Sequence, residues 1–431
     1  MKNKTEVIVV GGGPAGIAAA ITIAKAGKKV VLIERGSFSG SKNVFGGAIY
    51  VQPTKELFPN FEESAPIERK TVTHKYIMCT EDKSVDVSYM SREEEAESYS
   101  VVRAKFDRWM AKEAQKEGVV LVTETLVKEL IVKENKVVGV KTELEEYCAD
   151  IVILADGVNS LLAKQIGLRK EIKSKDVALG VKEVIKLGKE KIEERFNLNE
   201  NEGVIYEFLG EPMLGMLGLG YLYTNKEAIS IGIGVSLDDL TKRKLKPYEL
   251  LDRLKNHPSV KPLLKDGELI EYSAHLIPEG GYKKLPKLYS HGVMVVGDSA
   301  MLVNNLHWEG TNLAMISGKF AGETAVTALS NNDFSANSLA LYQKKLENSF
   351  IIKDLKTYKN LMDIVHKRAE SFLNYYPHKI AGFFKMFTSV DSVPKKKKYH
   401  GFIKSIFTDR SISELFKDAI AFVKLVFGVL K

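Results

Sequence analysis

Gly11-Gly12-Gly13-Pro14-Ala15-Gly16 is a G-x-G-x-x-G run between an apolar stretch and a stretch of small residues, the setting in which a chain binds a pyrophosphate. Gly11 permits the tight turn, Gly13 lets the pyrophosphate approach the backbone and the start of the next helix, and Gly16 allows that helix to pack closely on the strand. Pro14 and Ala15 complete the loop. Glu34 follows Gly16 by 18 residues, with Arg35 beside it. A carboxylate there accepts hydrogen bonds from an adenosine ribose and repels a 2′-phosphate, so FAD or NAD is favoured over NADP.

The glycine loop does not separate FAD from NAD. Two later segments, Ala-Asp-Gly-Val-Asn-Ser at 155–160 and Val-Val-Gly-Asp-Ser-Ala at 295–300, each follow a strand-like run. Taken singly, Asp156 and Asp298 are polar residues closing strands. Taken in order, with Gly157 and Gly297 beside them, they resemble the two further flavin-contacting motifs of the para-hydroxybenzoate hydroxylase-like flavoproteins, whose second motif places its Asp on the ribityl chain. Arg103 with Phe106-Asp107 resembles that superfamily's R-x-x-F-D segment, whose Arg lies near the flavin. The resemblance implies FAD.

Three more segments narrow the likeness: Ser-Lys-Asn-Val-Phe-Gly-Gly-Ala-Ile-Tyr at 41–50, Gly-Tyr-Leu-Tyr-Thr-Asn-Lys at 220–226 and His-Leu-Ile-Pro-Glu-Gly-Gly at 275–281. They are similar to the electron-transfer flavoprotein:quinone oxidoreductases of the FixC type, over nearly the whole chain. That family implies one FAD, electrons accepted from electron transfer flavoprotein, and delivery to membrane quinone through a 4Fe–4S centre. Longer members carry the cluster in a fused ferredoxin-like module, absent here, so the resemblance implies a separate small ferredoxin-like iron–sulfur partner. Membership of a bifurcating assembly stays open. Chemistry borne by the flavin requires neither a side-chain nucleophile nor a metal site. Gly46 and Gly47 would let backbone approach the ring, and Gly310, Thr311 and Asn312 open a helix that the family aims at the flavin's N1/O2 edge. His275, Gly280, Tyr282 and His307 are the quinone or substrate candidates. His275 could equally satisfy a backbone carbonyl. His307 and Trp308 could equally be packing, and the family's pattern differs in that loop.

These residues need elements to hold them. With 45% hydrophobic and 27% charged residues over 431 positions, the composition is that of a globular protein and not of a disordered or collagenous one. Two cysteines, Cys79 and Cys148, exclude a disulfide framework, and a cubane cluster needs about four thiolates. Buried strands are expected at 7–10, 30–33, 149–154 and 293–296, and helices at 14–26, 103–118 and 310–329. Strands at 119–123, 127–132 and 136–141 include a hairpin turning at Glu134-Asn135. The middle region alternates strands at 203–209, 218–223 and 229–235 with a helix near 247–256. The expected fold is α/β: a doubly wound, Rossmann-like FAD-binding domain over 1–174 and 291–331, an inserted mixed β-sheet domain over 175–290 for quinone or substrate, and a helical C-terminal part over 332–431.

The tail carries the charge. The chain's net charge is +8, and residues 391–431 hold nine basic and four acidic side chains, which is +5 of it. Apolar residues from Ile412 to Leu430 recur at helical spacing, but Glu414, Lys417, Asp418 and Lys424 break any run of about 20 apolar residues that a span would need. Beside Lys395 to Lys398, an interfacial helix on an anionic membrane and a helix docked on the core both fit, and the quinone resemblance favours the first. The short apolar run at the amino terminus does not fit a signal peptide. The expected location is cytoplasmic, peripheral on the inner face of the cell membrane, with no nucleic-acid partner. The rival readings are a geranylgeranyl reductase-type prenyl reductase, an aromatic hydroxylase and a non-catalytic docking subunit.

Overall fold

Val7, Ile8 and Val9 have no exposed surface, because the strand that carries them, Lys4–Val10, has a strand on each side and the helix Pro14–Lys25 packed against it. This computed structural model describes residues 4–42 and 47–430, so the Gly46 expectation lies outside the described residues. Lys4–Val10 pairs in parallel with Val30–Ile33 and with Glu146–Leu154, which pairs in parallel with Val293–Val295. Among the described residues this sheet has eight strands in all. The strands end level, Val10 opposite both Ile33 and Leu154, and Leu154 opposite Val295. The three loops that follow therefore emerge at one edge, which is where ligands bind in such sheets. Its hairpin, Val127–Lys133 with Lys136–Thr142, turns at Glu134 and Asn135, both with positive φ, the two-residue turn that matches strand twist.

A second sheet faces this edge. Among the described residues it has nine strands, ordered Glu268–Pro278, Val177–Lys186, Ala228–Ser236, Gly218–Thr224, Glu202–Gly210, Ile67–Cys79, Ser98–Val101 and Ala48–Tyr50, with Ser84–Met90 on the side of Ile67–Cys79. All its pairs are antiparallel except Glu202–Gly210 with Ile67–Cys79, so the sheet is mixed. It draws on residues 48–101 as well as 177–278, so the stretch before 174 builds part of both sheets. Its outer face carries its own core around Phe208, Leu222 and Leu254.

The helix Pro14–Lys25 crosses Thr311–Asn331 at close range. A Cβ on Gly318 would stand 2.1 Å from the Ala15 carbonyl oxygen, and one on Gly322 would stand 2.8 Å from that of Ala19. Beyond residue 332 the chain is helical. Its last helix, Ile412–Leu430, is hooked to the molecule by Asp418, which is 1% exposed. Ser371 Oγ and Tyr376 OH donate to that carboxylate at 2.9 and 3.2 Å, and Arg410 Nε lies 3.0 Å away. Docking of this helix is thus real, yet Phe416, Phe422, Val423 and Phe427 stay exposed. Among the described residues no helix is long and apolar enough to cross a membrane.

Candidate functional site

Between the two sheets lies a cavity of about 1330 Å³, wider than the 300–1,000 Å³ of an ordinary ligand pocket. It runs from the glycine loop, past the mixed sheet, to the helix Leu361–Lys367. Gly11, Gly13, Pro14 and Ala15 line one end. Gly11 has φ +106°, and a Cβ there would meet the Ala155 carbonyl oxygen at 2.2 Å. Gly16 does not reach the cavity: its missing Cβ leaves room for the Gly11 carbonyl, 1.9 Å from where that carbon would be, so it seats the helix on the turn. Gly13 caps that helix with no side chain of its own, leaving the helix start open to a ligand.

Glu34 is buried at the same end. Its two carboxylate oxygens accept from the Gly12 N–H at 2.7 Å and the Gly36 N–H at 2.6 Å, which fixes the carboxylate at the loop; Arg35 lines the cavity beside it. Asp156 Oδ1 accepts from Ser160 Oγ and from Ser299 Oγ, both at 3.0 Å, so the second and third loops are tied together through this carboxylate. Burial raises the pKa of Asp156 and pushes that of Asp298 up to about 6, although Arg103 and Arg169 pull Asp298 back. Asp156, Gly157 and Asp298 all line the cavity, while Gly297 stands behind it with its N–H donating to Ser317 Oγ at 3.0 Å.

Arg103 is held by a two-point pair with Asp107, each N to O distance 2.8 Å, and its remaining Nη1 reaches Thr311 Oγ1 at 3.4 Å. The R-x-x-F-D pattern thus has a plain cause: Asp107 aims the guanidinium at the cavity and Phe106 fixes the helix in the core. Gly310, Thr311 and Asn312 form the cavity wall at the start of Thr311–Asn331, where Asn312 Oδ1 is buried without a partner. Gly47 lies off the cavity, against the ring of Tyr223. His275 sits within the strand Glu268–Pro278 and lines the cavity with Gly280 and Tyr282. Its imidazole is kept below its ordinary pKa by burial and by the charges of Arg35 and Arg103. His307 also lines the cavity and packs edge-on to Tyr358, ring centres 5.3 Å apart.

Some residues of this site escaped the sequence reading. Arg169 donates to the carbonyls of Val158 and Ser299 at 2.6 and 3.2 Å, stapling the second and third loops from behind. Nothing in its neighbours marks it. On the mixed sheet, Tyr50, Tyr76, Glu207, Tyr221 and Tyr223 line the cavity, and the alternation along Glu202–Gly210 was the available signal. Burial pushes the carboxyl of Glu207 up to about 7 and that of Glu279 up to about 8. The two cysteines fall in different sheets, Cys79 in the mixed one and Cys148 in the first.

A glycine loop with no room for side chains, an open helix start, a buried carboxylate held at that loop and an unpartnered amide oxygen at a second helix start fit a flavin dinucleotide. The comparisons with known proteins agree. Residues 6–165 match the family described as FAD dependent oxidoreductase, 177–277 the one described as ETF-QO, ubiquinone-binding, and 361–427 the ETF-QO/FixC family C-terminal domain. The chain is 44% identical to Protein FixC of Bradyrhizobium diazoefficiens, covering 98% of this chain and 99% of that one. It is 42% identical to Protein FixC of Azotobacter vinelandii, covering 99% and 100%. Among solved structures, a geranylgeranyl bacteriochlorophyll reductase-like protein from Thermoplasma acidophilum shares the fold with a TM-score of 0.69, at 23% identity over 88% of this chain and 96% of that one. A flavin-dependent brominase does so with a TM-score of 0.65, at 16% identity over 96% and 98%.

Proposed function

The chain belongs to the FixC family, and from that premise we propose that it takes electrons from electron transfer flavoprotein and passes them, by way of FAD and an iron–sulfur cluster carried by a small ferredoxin-like partner, to membrane quinone. It is an FAD-dependent oxidoreductase. When bound, FAD supplies the redox chemistry through its isoalloxazine ring.

The protein's own residues hold, orient and shield. Gly11, Gly13, Pro14 and Ala15 would cradle the pyrophosphate, with Gly16 setting the helix that points at it and Glu34 and Arg35 at the ribose. Asp156, Gly157 and Asp298 would bracket the ribityl chain, with Gly297 behind them. Arg103 and the helix start at Gly310, Thr311 and Asn312 would face the ring, with Gly47 behind the Tyr223 side chain. His275, Gly280, Tyr282 and His307 would border the acceptor. One observation carries this reading: a single cavity joins the dinucleotide end to the part of the mixed sheet that matches the ubiquinone-binding family, so two ligands can meet without crossing bulk water. The prenyl-reductase alternative has a shared fold behind it, whereas the FixC relatives share over two-fifths of all positions. A bifurcating assembly is compatible with the same chemistry.

The exposed aromatic residues of the last helix and the basic segment before it support attachment to the inner face of the cell membrane. The test is native purification, a visible spectrum and identification of copurifying proteins, followed by mixing with reduced electron transfer flavoprotein and a short-chain quinone. The flavin should bleach with the first and recover with the second. A flavin that stays oxidised with the donor would refute the donor, and one that stays reduced with quinone would refute the acceptor.

A further inference from the structure

Glu207 stands in the middle of Glu202–Gly210, where the alternation of the strand sends Ile205, Glu207 and Leu209 into the cavity and Phe208 into the core behind. A carboxylate on such a wall needs a reason. Across the sheet its direct neighbours are Tyr76 on one strand and Tyr221 on the other, which makes a row of tyrosine, glutamate and tyrosine along the cavity wall. Tyr76 stands directly opposite the carboxyl group and interacts with it electrostatically, whereas Oε2 is buried without a hydrogen-bond partner. Among the described residues no cation pairs with Glu207. The ionisable groups facing it are Tyr50 from Ala48–Tyr50, His74 and Tyr76 from Ile67–Cys79, and Tyr221 and Tyr223 from Gly218–Thr224, with Glu309 reaching the Tyr50 side of the cavity. Tyr221 and Tyr223 stack with ring centres 4.9 Å apart, flooring this end of the cavity with aromatic surface.

We propose that Glu207 is the catalytic acid of quinone reduction, handing its proton to a quinone carbonyl oxygen and being reprotonated from solvent through Tyr76; this rests on the quinone reading above. Reduction of a quinone to a quinol takes up two electrons, which the oxidoreductase activity supplies, and two protons. For each proton the Glu207 O–H bond breaks and an O–H bond forms on the quinone, leaving a carboxylate that Tyr76, 45% exposed, connects to water. The same carboxyl delivers both protons in turn. Burial brings Glu207 to about 7, the range in which one group can both hold and release a proton near neutral pH. The tyrosines cannot take this part, since burial lifts Tyr50 to about 12 and Tyr221 and Tyr223 further above their ordinary value.

The experiment uses the flavin-loaded protein, reduced and mixed in a stopped-flow instrument with a short-chain quinone or with ferricyanide, an acceptor that takes up no proton. In Glu207→Gln the ratio of quinone rate to ferricyanide rate should fall by about 100-fold, the lower end of what a general acid contributes, and Glu207→Asp should regain part of it. The wild-type quinone rate should decline above about pH 7, and that inflection should vanish in Glu207→Gln. Tyr76→Phe should slow repeated turnover more than the first reduction. Independently of turnover, infrared spectra of the loaded protein should show a protonated carboxyl band that titrates near pH 7 and is missing in Glu207→Gln. A variant with the wild-type ratio and inflection, or a band that titrates in the ordinary carboxylate range, would overturn the proposal. Wild-type protein that reduces ferricyanide and no quinone would instead overturn the quinone reading, and this proposal with it. Should Glu207→Gln fail to load flavin, the wild-type infrared titration and Tyr76→Phe decide alone.

Discussion

At Gly11 the backbone needs a φ that side-chain-bearing residues rarely adopt, and the neighbouring strand leaves no space for a Cβ. Gly11→Ala therefore meets both backbone strain, which costs about 1–3 kcal/mol, and a collision with the Ala155 carbonyl that no rotamer relieves. The purified variant should carry far less flavin per protein, read from visible absorbance, and melt at a lower temperature. Such positions were legible in the sequence because each glycine answers a steric demand. Glu207 was not, since a lone charged residue in an apolar run reads as solvent-facing until the opposite wall of a cavity is known, and neither was Arg169, which stands beside Lys170 and Glu171 as one more charge in a polar stretch. Glu279 belongs with them. Burial raises its carboxyl from 4.5 to about 8, so the folded protein binds a proton that the unfolded chain releases, and stability falls as pH rises through that interval. Glu279→Gln removes the effect. Its melting temperature should match wild type near pH 4 and exceed it increasingly up to about pH 8; a constant difference across that range would refute the burial argument.

Among the elements, the strands and helices of the first sheet could be read directly because they are uniformly apolar or have small residues at helical spacing. The strand Ile67–Cys79 could not. It carries Glu68 and Arg69 in its buried stretch, and Arg69, 2% exposed, spends its guanidinium on the carbonyls of Glu202, Asn225 and Lys226 and on Glu193. A charged residue satisfied by distant backbone defeats any pattern based on polarity, and so the contribution of 48–101 to the mixed sheet was invisible. Helix packing shows the opposite case. Gly318 and Gly322 let Thr311–Asn331 lie against Pro14–Lys25, and both helices start at the cavity. Gly318→Ala would gain about 0.5–1 kcal/mol of helix propensity, but it pushes a methyl group onto the Ala15 carbonyl, and overpacking of this kind costs about 1–3 kcal/mol. The net expectation is a lower melting temperature with weakened flavin retention, because separating the helices moves Thr311 and Asn312 away from the glycine loop. Unchanged flavin content in Gly318→Ala would show that the two helix starts are positioned independently.

For the molecule as a whole, the nucleotide sheet and its three converging loops were foreseeable, and so was a helical tail. What the tail meets was not, because amphipathic spacing alone describes a docked helix and an interfacial one equally well. The structure divides the tail between the two. Asp418 and its partners bind one side of Ile412–Leu430 to the body, while several large apolar side chains face outward. The lysine cluster divides likewise. Lys395 Nζ donates to the Phe387 carbonyl at 2.8 Å and Lys398 lies 2.7 Å from Asp391, so these two fold back, and Lys396 and Lys397 stay exposed. Only the outward pair can meet an anionic leaflet, where each lysine contributes about 1 kcal/mol. The flavin-loaded protein should therefore sediment with anionic vesicles, less so as salt rises, and Lys396→Glu combined with Lys397→Glu should weaken this by about tenfold or more. The apolar residues act separately: Phe416→Ser with Phe427→Ser should reduce binding at every salt concentration, since burial of apolar surface is not screened. Equal sedimentation of wild type and both double variants, or no sedimentation with any vesicle, would mean that this face of the tail meets protein instead of lipid.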